Sequence, residues 1–305
     1  LGGGSAAVSA YTIDQSLRFN ESDSAYLSKA WGGAGNRKTW TLSLWAKIGD
    51  ISDSASNFYH PNSGDIVFGW AYNEFYYYEG GGSDLYLVST QKFRDPSAWY
   101  HIVVAVDTTQ SVSSNRIKVY LNGEQITAWS QETYPSLNFD TAFNNTGTYY
   151  IGETLDYSYD YDGYMAEFYW IDGTQYDADD FGETDEDTNQ WKPKDASGLT
   201  FGTNGFFQKY EDSADLGNDS SGEGNDYTVT NLVASDQVLD SPTNNFCTWN
   251  GILGPDSSAR VPSPLSEGNL KATQATDNAN AFATFAMASG KWYAECLGTS
   301  VAGDS

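Results

Sequence analysis

The sequence alternates apolar and polar residues with a period of two in several separate runs. From residue 40 to 48 it reads Trp-Thr-Leu-Ser-Leu-Trp-Ala-Lys-Ile, in which every even-numbered residue is apolar. Because successive side chains of a strand point to opposite faces of a sheet, this run predicts a β-strand with one face in a core. The run from 99 to 106 is apolar on both faces, as is typical of a central strand.

Turn residues punctuate these runs. The alternating run from Arg116 to Leu121 ends at Asn122-Gly123, a pair that favours a tight hairpin because both residues tolerate a positive φ. We expect a return strand from Glu124 to Ala128. Further strands are expected at 17–19, 26–27, 66–72, 85–88, 148–151 and 164–171. A helical period is absent apart from one turn at 177–182, so the sequence predicts an all-β antiparallel sandwich.

Charge and composition exclude several kinds of partner. Fifteen Lys and Arg stand against 41 Asp and Glu, and the resulting net charge of −26 would repel nucleic acid. No run approaches the roughly 18 apolar residues of a membrane span, so membrane insertion is not expected. The two cysteines, Cys247 and Cys296, fit no metal-ligand spacing and are interpreted as free thiols.

A series of segments resembles one known family. In order along the chain, the segments are Ser16-Leu-Arg-Phe-Asn, Asp23-Ser-Ala-Tyr-Leu27, Trp40 to Lys47, Trp99 to Asp107, Val119-Tyr-Leu-Asn-Gly123, Tyr150-Ile-Gly152 and Asp162-Gly-Tyr-Met-Ala-Glu-Phe168. This series resembles the laminin G-like family, which has the concanavalin A-like jelly-roll fold. The resemblance covers about residues 15 to 185 and implies a jelly-roll β-sandwich.

Two further stretches extend the resemblance. Gly290-Lys-Trp-Tyr-Ala-Glu295 is similar to the opening strand of a SPRY-type domain, and Gly35-Asn-Arg-Lys-Thr-Trp40 precedes the first long strand. The whole arrangement resembles virion proteins of tailed bacteriophages. It implies a tail-fibre or other appendage protein on the virion surface, in contact with other virion proteins and without catalytic residues. We expect a homo-oligomer, with a trimer favoured.

Four segments are predicted. Residues 1–14 form a glycine-rich attachment segment, and 15–185 form the laminin G-like jelly roll. Residues 186–264 are a β-rich extension and linker, either a small module or extra strands laid against the sandwich. Residues 265–305 begin an incomplete SPRY-like sandwich with a strand at 289–295, and the short remaining length predicts a fragment of a longer protein.

The stretch from 155 to 173, LDYSYDYDGYMAEFYWIDG, interleaves rings and carboxylates ahead of a strand. Aromatic faces suit a sugar-binding surface, so Tyr157, Tyr159 and Tyr161, with Tyr76, Tyr77 and Tyr78, are candidate stacking residues. The alternatives are tyrosines packed between sheets or against a neighbouring chain. Asp156, Asp160 and Asp162 are candidate Ca²⁺ ligands, and the alternative is an ordinary acidic loop.

Catalytic patterns are weak in this sequence. Glu183-Thr-Asp185 has the spacing of paired carboxylates but lies in an acidic run, and Glu167 stands alone on its strand. Neither His60 nor His101 has a nucleophile pattern beside it, and no Walker or Gly-x-Ser-x-Gly motif occurs. Together with the resemblance to virion appendage proteins, this leads us to expect a non-enzymatic protein that adheres to host surface glycans. The alternatives are a structural virion component, in capsid decoration or tail assembly, and a secreted bacterial lectin.

Overall fold

The computed structural model describes residues 11–49, 55–61, 65–154, 160–251, 261–273 and 279–298. This part of the chain is all-β, as predicted. Its strands are β1 (Ser16–Phe19), β2 (Tyr26–Trp31), β3 (Thr39–Ile48), β4 (Ala55–Asn57), β5 (Tyr59–Pro61), β6 (Ile66–Ala71), β7 (Glu74–Glu79), β8 (Leu85–Ser89), β9 (Tyr100–Asp107), β10 (Ile117–Leu121), β11 (Glu124–Gln125), β12 (Trp129–Thr133), β13 (Gly147–Ile151), β14 (Gly163–Asp172), β15 (Gly182–Thr184), β16 (Trp191–Pro193), β17 (Phe206–Gln208), β18 (Thr228–Thr230), β19 (Gln237–Val238), β20 (Val261–Pro262), β21 (Leu265–Ser266), β22 (Lys271–Ala272) and β23 (Ala279–Asn280).

The helices of the described residues are all short 3₁₀ turns. They span Glu21–Asp23, Gly80–Gly82, Ser113–Asn115, Ala178–Asp180 and Ala234–Asp236. The fourth of them confirms the single turn predicted at 177–182. Among the described residues no helix has the length and apolar character needed to cross a membrane.

Two layers of antiparallel strands form the sandwich. The back sheet has the order β11-β10-β9-β3-β14-β1-β19, and β17 also pairs with β14. The front layer consists of a five-stranded sheet, β12-β8-β7-β6-β4, and a four-stranded sheet, β18-β2-β13-β5. The two front sheets adjoin where the Phe58 amide donates to the Phe68 carbonyl at 2.9 Å. Three further two-stranded sheets are formed by β15-β16, β20-β23 and β21-β22.

An aromatic core fills the space between the two layers. Trp40 of β3 stacks on Trp170 of β14 with ring centroids 4.7 Å apart, and Tyr59 of the front layer lies 5.0 Å from Trp170. The even-numbered residues of β3 face this core, as the alternation predicted. Such large rings bury enough apolar area to dominate the stability of the sandwich.

The outer side of the back sheet is also covered. Tyr169 of β14 stacks on Phe207 at 4.0 Å and Phe201 at 6.3 Å, within a second buried cluster. The polar residues on the second face of β3 are buried as well, because Ser43 lies against His101 and Lys47 lies against Asp240 and Asn245. Sequence alternation places these residues on the second face but does not show what covers that face.

Residues 206–238 add strands to the sandwich sheets. β17 pairs with β14, β18 with β2 and β19 with β1, all antiparallel. This region therefore lies against the sandwich, which is the second of the two arrangements considered for it.

Two predicted strands differ from the structure. The return strand after Gly123 is only β11, because the chain then crosses to the front layer, where β12 pairs with β8. The strand predicted at 289–295 is wrong, since residues 289–298 have no regular structure, and Trp292 and Tyr293 are 66% and 83% exposed. A strand needs a neighbour for its backbone hydrogen bonds, and no described residue pairs with this stretch. The SPRY-like domain stays a prediction.

Candidate functional site: an outward-facing tyrosine surface

Four tyrosine rings lie together on the outer side of the five-stranded front sheet. We call this surface, formed by Tyr72, Tyr76, Tyr78 and Tyr86, the tyrosine face. Its ring centroids are 6.3 Å apart for Tyr72 and Tyr76, 6.4 Å for Tyr76 and Tyr86, and 5.2 Å for Tyr78 and Tyr86. The rings therefore form one continuous aromatic surface across β7, β8 and the turn before β7.

Strand alternation produces this surface. In β7 the side chains of Phe75, Tyr77 and Glu79 are buried, so Tyr76 and Tyr78 point away from the core. In β8, Tyr86 stands between the buried Leu85 and Leu87 in the same way. The register places Tyr78 opposite Tyr86, which brings their rings into contact.

The turns at both ends of β7 shape the tyrosine face. Gly80, Gly81 and Gly82 have φ values of 64°, 68° and 76°, in the left-handed region that favours glycine. A Cβ atom at Gly82 would lie 2.9 Å from Tyr78 and 3.3 Å from Tyr86. At the other end Tyr72 also has a positive φ, of 52°, and its side chain is 63% exposed.

Polar groups border the rings. The Tyr78 hydroxyl donates to Asp65 Oδ2 at 3.0 Å, and Lys92 forms an ion pair with Glu74. Partial burial, followed by the nearby Glu74 charge, raises the pKa of Tyr76 to about 12. The phenol stays neutral at physiological pH and can donate a hydrogen bond. The surface thus combines apolar rings with hydroxyl donors and carboxylate acceptors.

The structure divides the predicted Tyr76–Tyr78 trio. Tyr76 and Tyr78 lie on the surface, but Tyr77 is fully buried and its hydroxyl donates to Glu79 Oε1 at 2.7 Å. A stacking role for Tyr77 is wrong, because its position in the strand alternation directs its ring into the core.

The second predicted group belongs to the stretch of sequence before β14. Tyr157, Tyr159 and Asp156 are outside the described residues. Tyr161 is buried, with its ring 6.0 Å from Phe19 and 5.9 Å from Phe58, and its hydroxyl donates to the Lys47 carbonyl at 3.0 Å. A stacking role for Tyr161 is therefore wrong, since its ring fills the end of the core.

The predicted Ca²⁺ ligands belong to the same stretch of sequence. Asp160 accepts a hydrogen bond from the Thr154 amide at 3.2 Å and lies beside the largely buried Glu153. Burial, followed by a hydrogen bond with Asp160, raises the pKa of Glu153 to about 8. No three His, Cys, Asp or Glu side chains of the described ranges group closely enough for a metal site. A Ca²⁺ site of Asp156, Asp160 and Asp162 stays a prediction.

The residues considered for catalysis have structural partners. Glu183 and Asp185 lie 3.2 and 3.3 Å from Lys192 Nζ at the surface, as a solvated charge run does. Glu167 is buried and accepts hydrogen bonds from the hydroxyls of Tyr11 and Tyr169. Burial raises the pKa of Glu167 to about 7.

His101 also has a structural role. Its Nδ1 accepts a hydrogen bond from Trp191 Nε1 at 2.9 Å, and its Nε2 lies 2.9 Å from Ser43 Oγ. Burial lowers the pKa of His101 to about 3, so the ring is a neutral packing element.

The sequence interpretation missed two residues of the tyrosine face, Tyr72 and Tyr86, and Asp65 at its border. The alternation Leu85-Tyr86-Leu87 held a usable signal, because it directs Tyr86 to the face opposite two leucines. Tyr72 and Asp65 reach the surface through turn geometry and long-range pairing, which no local pattern encodes.

Comparison with known proteins gives a family and distant structural similarities. The chain is similar to a heptameric SAP-like pentraxin from Limulus polyphemus, with 14% identity over 55% of this chain and 80% of that one and a TM-score of 0.39. It is also similar to domain 4 of an extracellular arabinanase from Geobacillus stearothermophilus in complex with arabinotriose, with 18% identity over 57% and 78% and a TM-score of 0.39.

A third similarity is to domains LG4-5 of the mouse laminin α1 chain, with 9% identity over 51% of this chain and 40% of that one and a TM-score of 0.36. No curated protein matches the sequence. A laminin G family model, described as the concanavalin A-like lectin/glucanases superfamily, matches residues 20–178, which is more than half of the chain. The chain belongs to this laminin G-type family of concanavalin A-like domains.

Proposed function

We propose that the protein binds a saccharide on the tyrosine face and does not transform it. The observation that carries this proposal is the continuity of the four outward rings, with carboxylates at their border. The C–H groups on one side of a pyranose ring pack well on an aromatic face, while hydroxyls around the sugar need donors and acceptors. Tyr78, Asp65 and Glu74 supply such groups beside the rings.

The charge of the chain favours a particular kind of saccharide. The net charge of the chain is −26. Lys92, at the border of the tyrosine face, forms an ion pair with Glu74. A polyanionic glycan would meet unfavourable electrostatic interactions at long range. We expect neutral saccharides to bind more tightly than phosphorylated or sulfated ones of the same size.

A single exposed aromatic surface of this kind binds weakly, and repetition of the site multiplies the binding strength. We propose that the protein is a tail-fibre-type appendage on the surface of a phage virion, in a homo-oligomer, where several copies face host glycans together. The stretch from Gly35 to Trp40, which resembles such virion proteins, supports this role.

A second function is favoured by the exposure of Tyr72. An aromatic side chain that is 63% exposed and continuous with three others can also contact another protein subunit. In that case the tyrosine face would be a contact of a structural virion component. A secreted lectin is the third candidate, with the same binding chemistry.

A glycan array with the full chain tests the proposal. The full chain is required because β17, β18 and β19 belong to the sandwich sheets. We expect saturable binding to a set of neutral glycans, and a loss of at least about tenfold in affinity for a Tyr72→Ala/Tyr76→Ala variant, since each stacked ring contributes roughly 1 kcal/mol.

The matched control is Tyr293→Ala, which removes a ring that is 83% exposed outside the sheets. It should leave binding unchanged. If no glycan on the array binds and the Tyr72→Ala/Tyr76→Ala variant changes its oligomeric state, glycan binding is rejected and the tyrosine face is a subunit contact.

A further inference from the structure

A lysine amine, an amide and a carboxylate meet behind the back sheet. Lys47 lies on the face of β3 that points away from the sandwich core, and its side chain is completely buried. Its Nζ atom is 2.7 Å from Asp240 Oδ2, 2.9 Å from Asn245 Oδ1 and 3.0 Å from the Phe246 carbonyl oxygen. The two partners lie about two hundred residues further along the chain, just after β19.

We propose that Lys47 and Asn245 are joined by an intramolecular isopeptide bond between Lys47 Nζ and Asn245 Cγ, with Asp240 transferring protons and ammonia released. Such a bond would tie residues 240–250 covalently to the central sheet. The site lies apart from the tyrosine face, on the opposite layer of the sandwich, and the proposal does not depend on glycan binding.

Proximity is the first requirement of the reaction. Because a carbonyl bond is about 1.2 Å long, the Asn245 carbon lies no more than about 4.1 Å from the lysine nitrogen. Asn245 Nδ2 donates to the Ser97 carbonyl at 2.7 Å, which orients the amide with its oxygen toward Lys47. Groups held this close react as one molecule and avoid the entropy cost of an encounter.

The second requirement is a neutral amine. Burial lowers the pKa of Lys47, and the charge of Asp240 opposes this effect. The Tyr164 ring lies 5.7 Å from the lysine nitrogen, and Trp99 Nε1 donates to Asp240 Oδ1 at 3.0 Å. In such surroundings the transfer of one proton from the ammonium to the carboxylate replaces two buried charges by two neutral groups.

The atoms and electrons of the reaction balance without a further reagent. The lone pair of Lys47 Nζ forms the new bond to Asn245 Cγ, and the carbonyl electrons move onto Oδ1. Asp240 takes a proton from the attacking nitrogen and passes one to Asn245 Nδ2. The Cγ–Nδ2 bond then breaks as the carbonyl forms again, and ammonia leaves. Asn245 is exposed, so the product can escape to solvent.

Mass spectrometry of the full, folded protein tests the proposal. We expect the intact mass, measured after denaturation, to be lower than the sequence mass by one ammonia. A protease digest should contain a branched peptide in which the Lys47 and Asn245 segments are joined. The branched peptide is the decisive readout, because succinimide formation at another asparagine also releases ammonia.

Variants make the assignment specific. Lys47→Arg and Asn245→Ala should each have the full mass of its own sequence, because one of the two joined residues is missing. Asp240→Asn should also have its full sequence mass, although Lys47 and Asn245 are both present, because the carboxylate that transfers protons is missing. A wild-type protein with the full sequence mass and no branched peptide would overturn the proposal and leave a buried ion pair. A branched peptide that joins Lys47 to Asp240, with loss of water, would also overturn the assignment to Asn245.

Discussion

Tyr77 and Glu79 form a buried hydrogen bond on the inner side of the strand whose outer side carries Tyr76 and Tyr78. The Tyr77 hydroxyl donates to Glu79 Oε1 at 2.7 Å, and the Ala142 amide donates to Oε2 at 2.9 Å. These two bonds favour the ionised carboxylate, but the larger effect of burial raises the pKa of Glu79 from 4.5 to about 7. The support of the tyrosine face is therefore sensitive to pH.

We predict that the contribution of Glu79 to the stability of the protein falls as the pH rises from about 4.5 through 7. The folded state holds a proton on Glu79 that the unfolded state releases above pH 4.5, so this contribution is complete below 4.5 and lost above 7. The size of the effect is on the order of 3 kcal/mol. Glu167, with a pKa of about 7, acts in the same direction.

Urea unfolding at several pH values measures this effect. A Glu79→Gln variant should show a shallower pH dependence than the wild type, and the control Glu183→Gln, at an exposed carboxyl, should keep the wild-type slope. Equal slopes in Glu79→Gln and the wild type would show that Glu79 is ionised in the folded protein near pH 5.

Gly82→Ala should weaken both stability and saccharide binding. The new methyl group costs about 1–2 kcal/mol at a φ of 76° and also meets the rings of Tyr78 and Tyr86. Gly222→Ala is the matched control, because Gly222 has a φ of 88° but no atom within 4 Å of the added carbon. Thermal unfolding of both variants checks the prediction, which fails if Gly222→Ala is destabilised as much as Gly82→Ala.

His101 should remain neutral in the folded protein far below its usual range. Because the Trp191 indole can only donate, Nδ1 of His101 must accept, and the ring proton lies on Nε2 toward Ser43. The chain has only two histidines, so a His60→Gln variant leaves one set of imidazole signals for ¹⁵N NMR.

We expect the Nε2–H tautomer of His101 at pH 5, and a pKa of about 3. Since the unfolded histidine takes up a proton below about 6.5, this group lowers stability as the pH falls from 6.5 toward 3. Titration of His101 near 6.5 in the folded protein would contradict its burial between Ser43 and Trp191.

A tyrosine buried in the core and a tyrosine of the exposed face should differ in stability measurements. Tyr161→Ala removes a buried ring and should cost about 3–5 kcal/mol. Tyr72→Ala removes an exposed ring and should change the free energy of unfolding by less than about 0.5 kcal/mol. Denaturant midpoints compare them directly. A Tyr161→Ala variant as stable as Tyr72→Ala would place Tyr161 at the surface.

Local sequence patterns predict most of the strands of the fold. The alternation of β3, the Asn122-Gly123 hairpin with φ values of 47° and 85°, and the runs at β9, β10 and β14 all sit where the sequence predicts them. What the sequence could not show was the cover over the back sheet. Alternation places Ser43 and Lys47 on the second face of β3, and their burial depends on contacts with the distant residues His101 and Asp240.

The sequence predicts only part of the tyrosine face, because local patterns do not encode contacts between distant residues. A run of three tyrosines indicates a ring-rich surface, yet in a strand only the first and third can share a face, which the burial of Tyr77 shows. Alternation within a loop carries no such rule, so Tyr161 could turn into the core although its neighbours in sequence are polar. The strand predicted at 289–295 failed because local alternation cannot supply a partner strand.

The central claim is that the tyrosine face binds a saccharide, and ring-labelled tyrosine NMR tests it most directly. The account predicts that a glycan selected on the array shifts the ring signals of Tyr72, Tyr76, Tyr78 and Tyr86, assigned by single Tyr→Phe variants, in a saturable manner. The signals of the buried Tyr77 and Tyr161 should stay unchanged. Saturable binding that leaves the four surface rings unshifted would contradict the account.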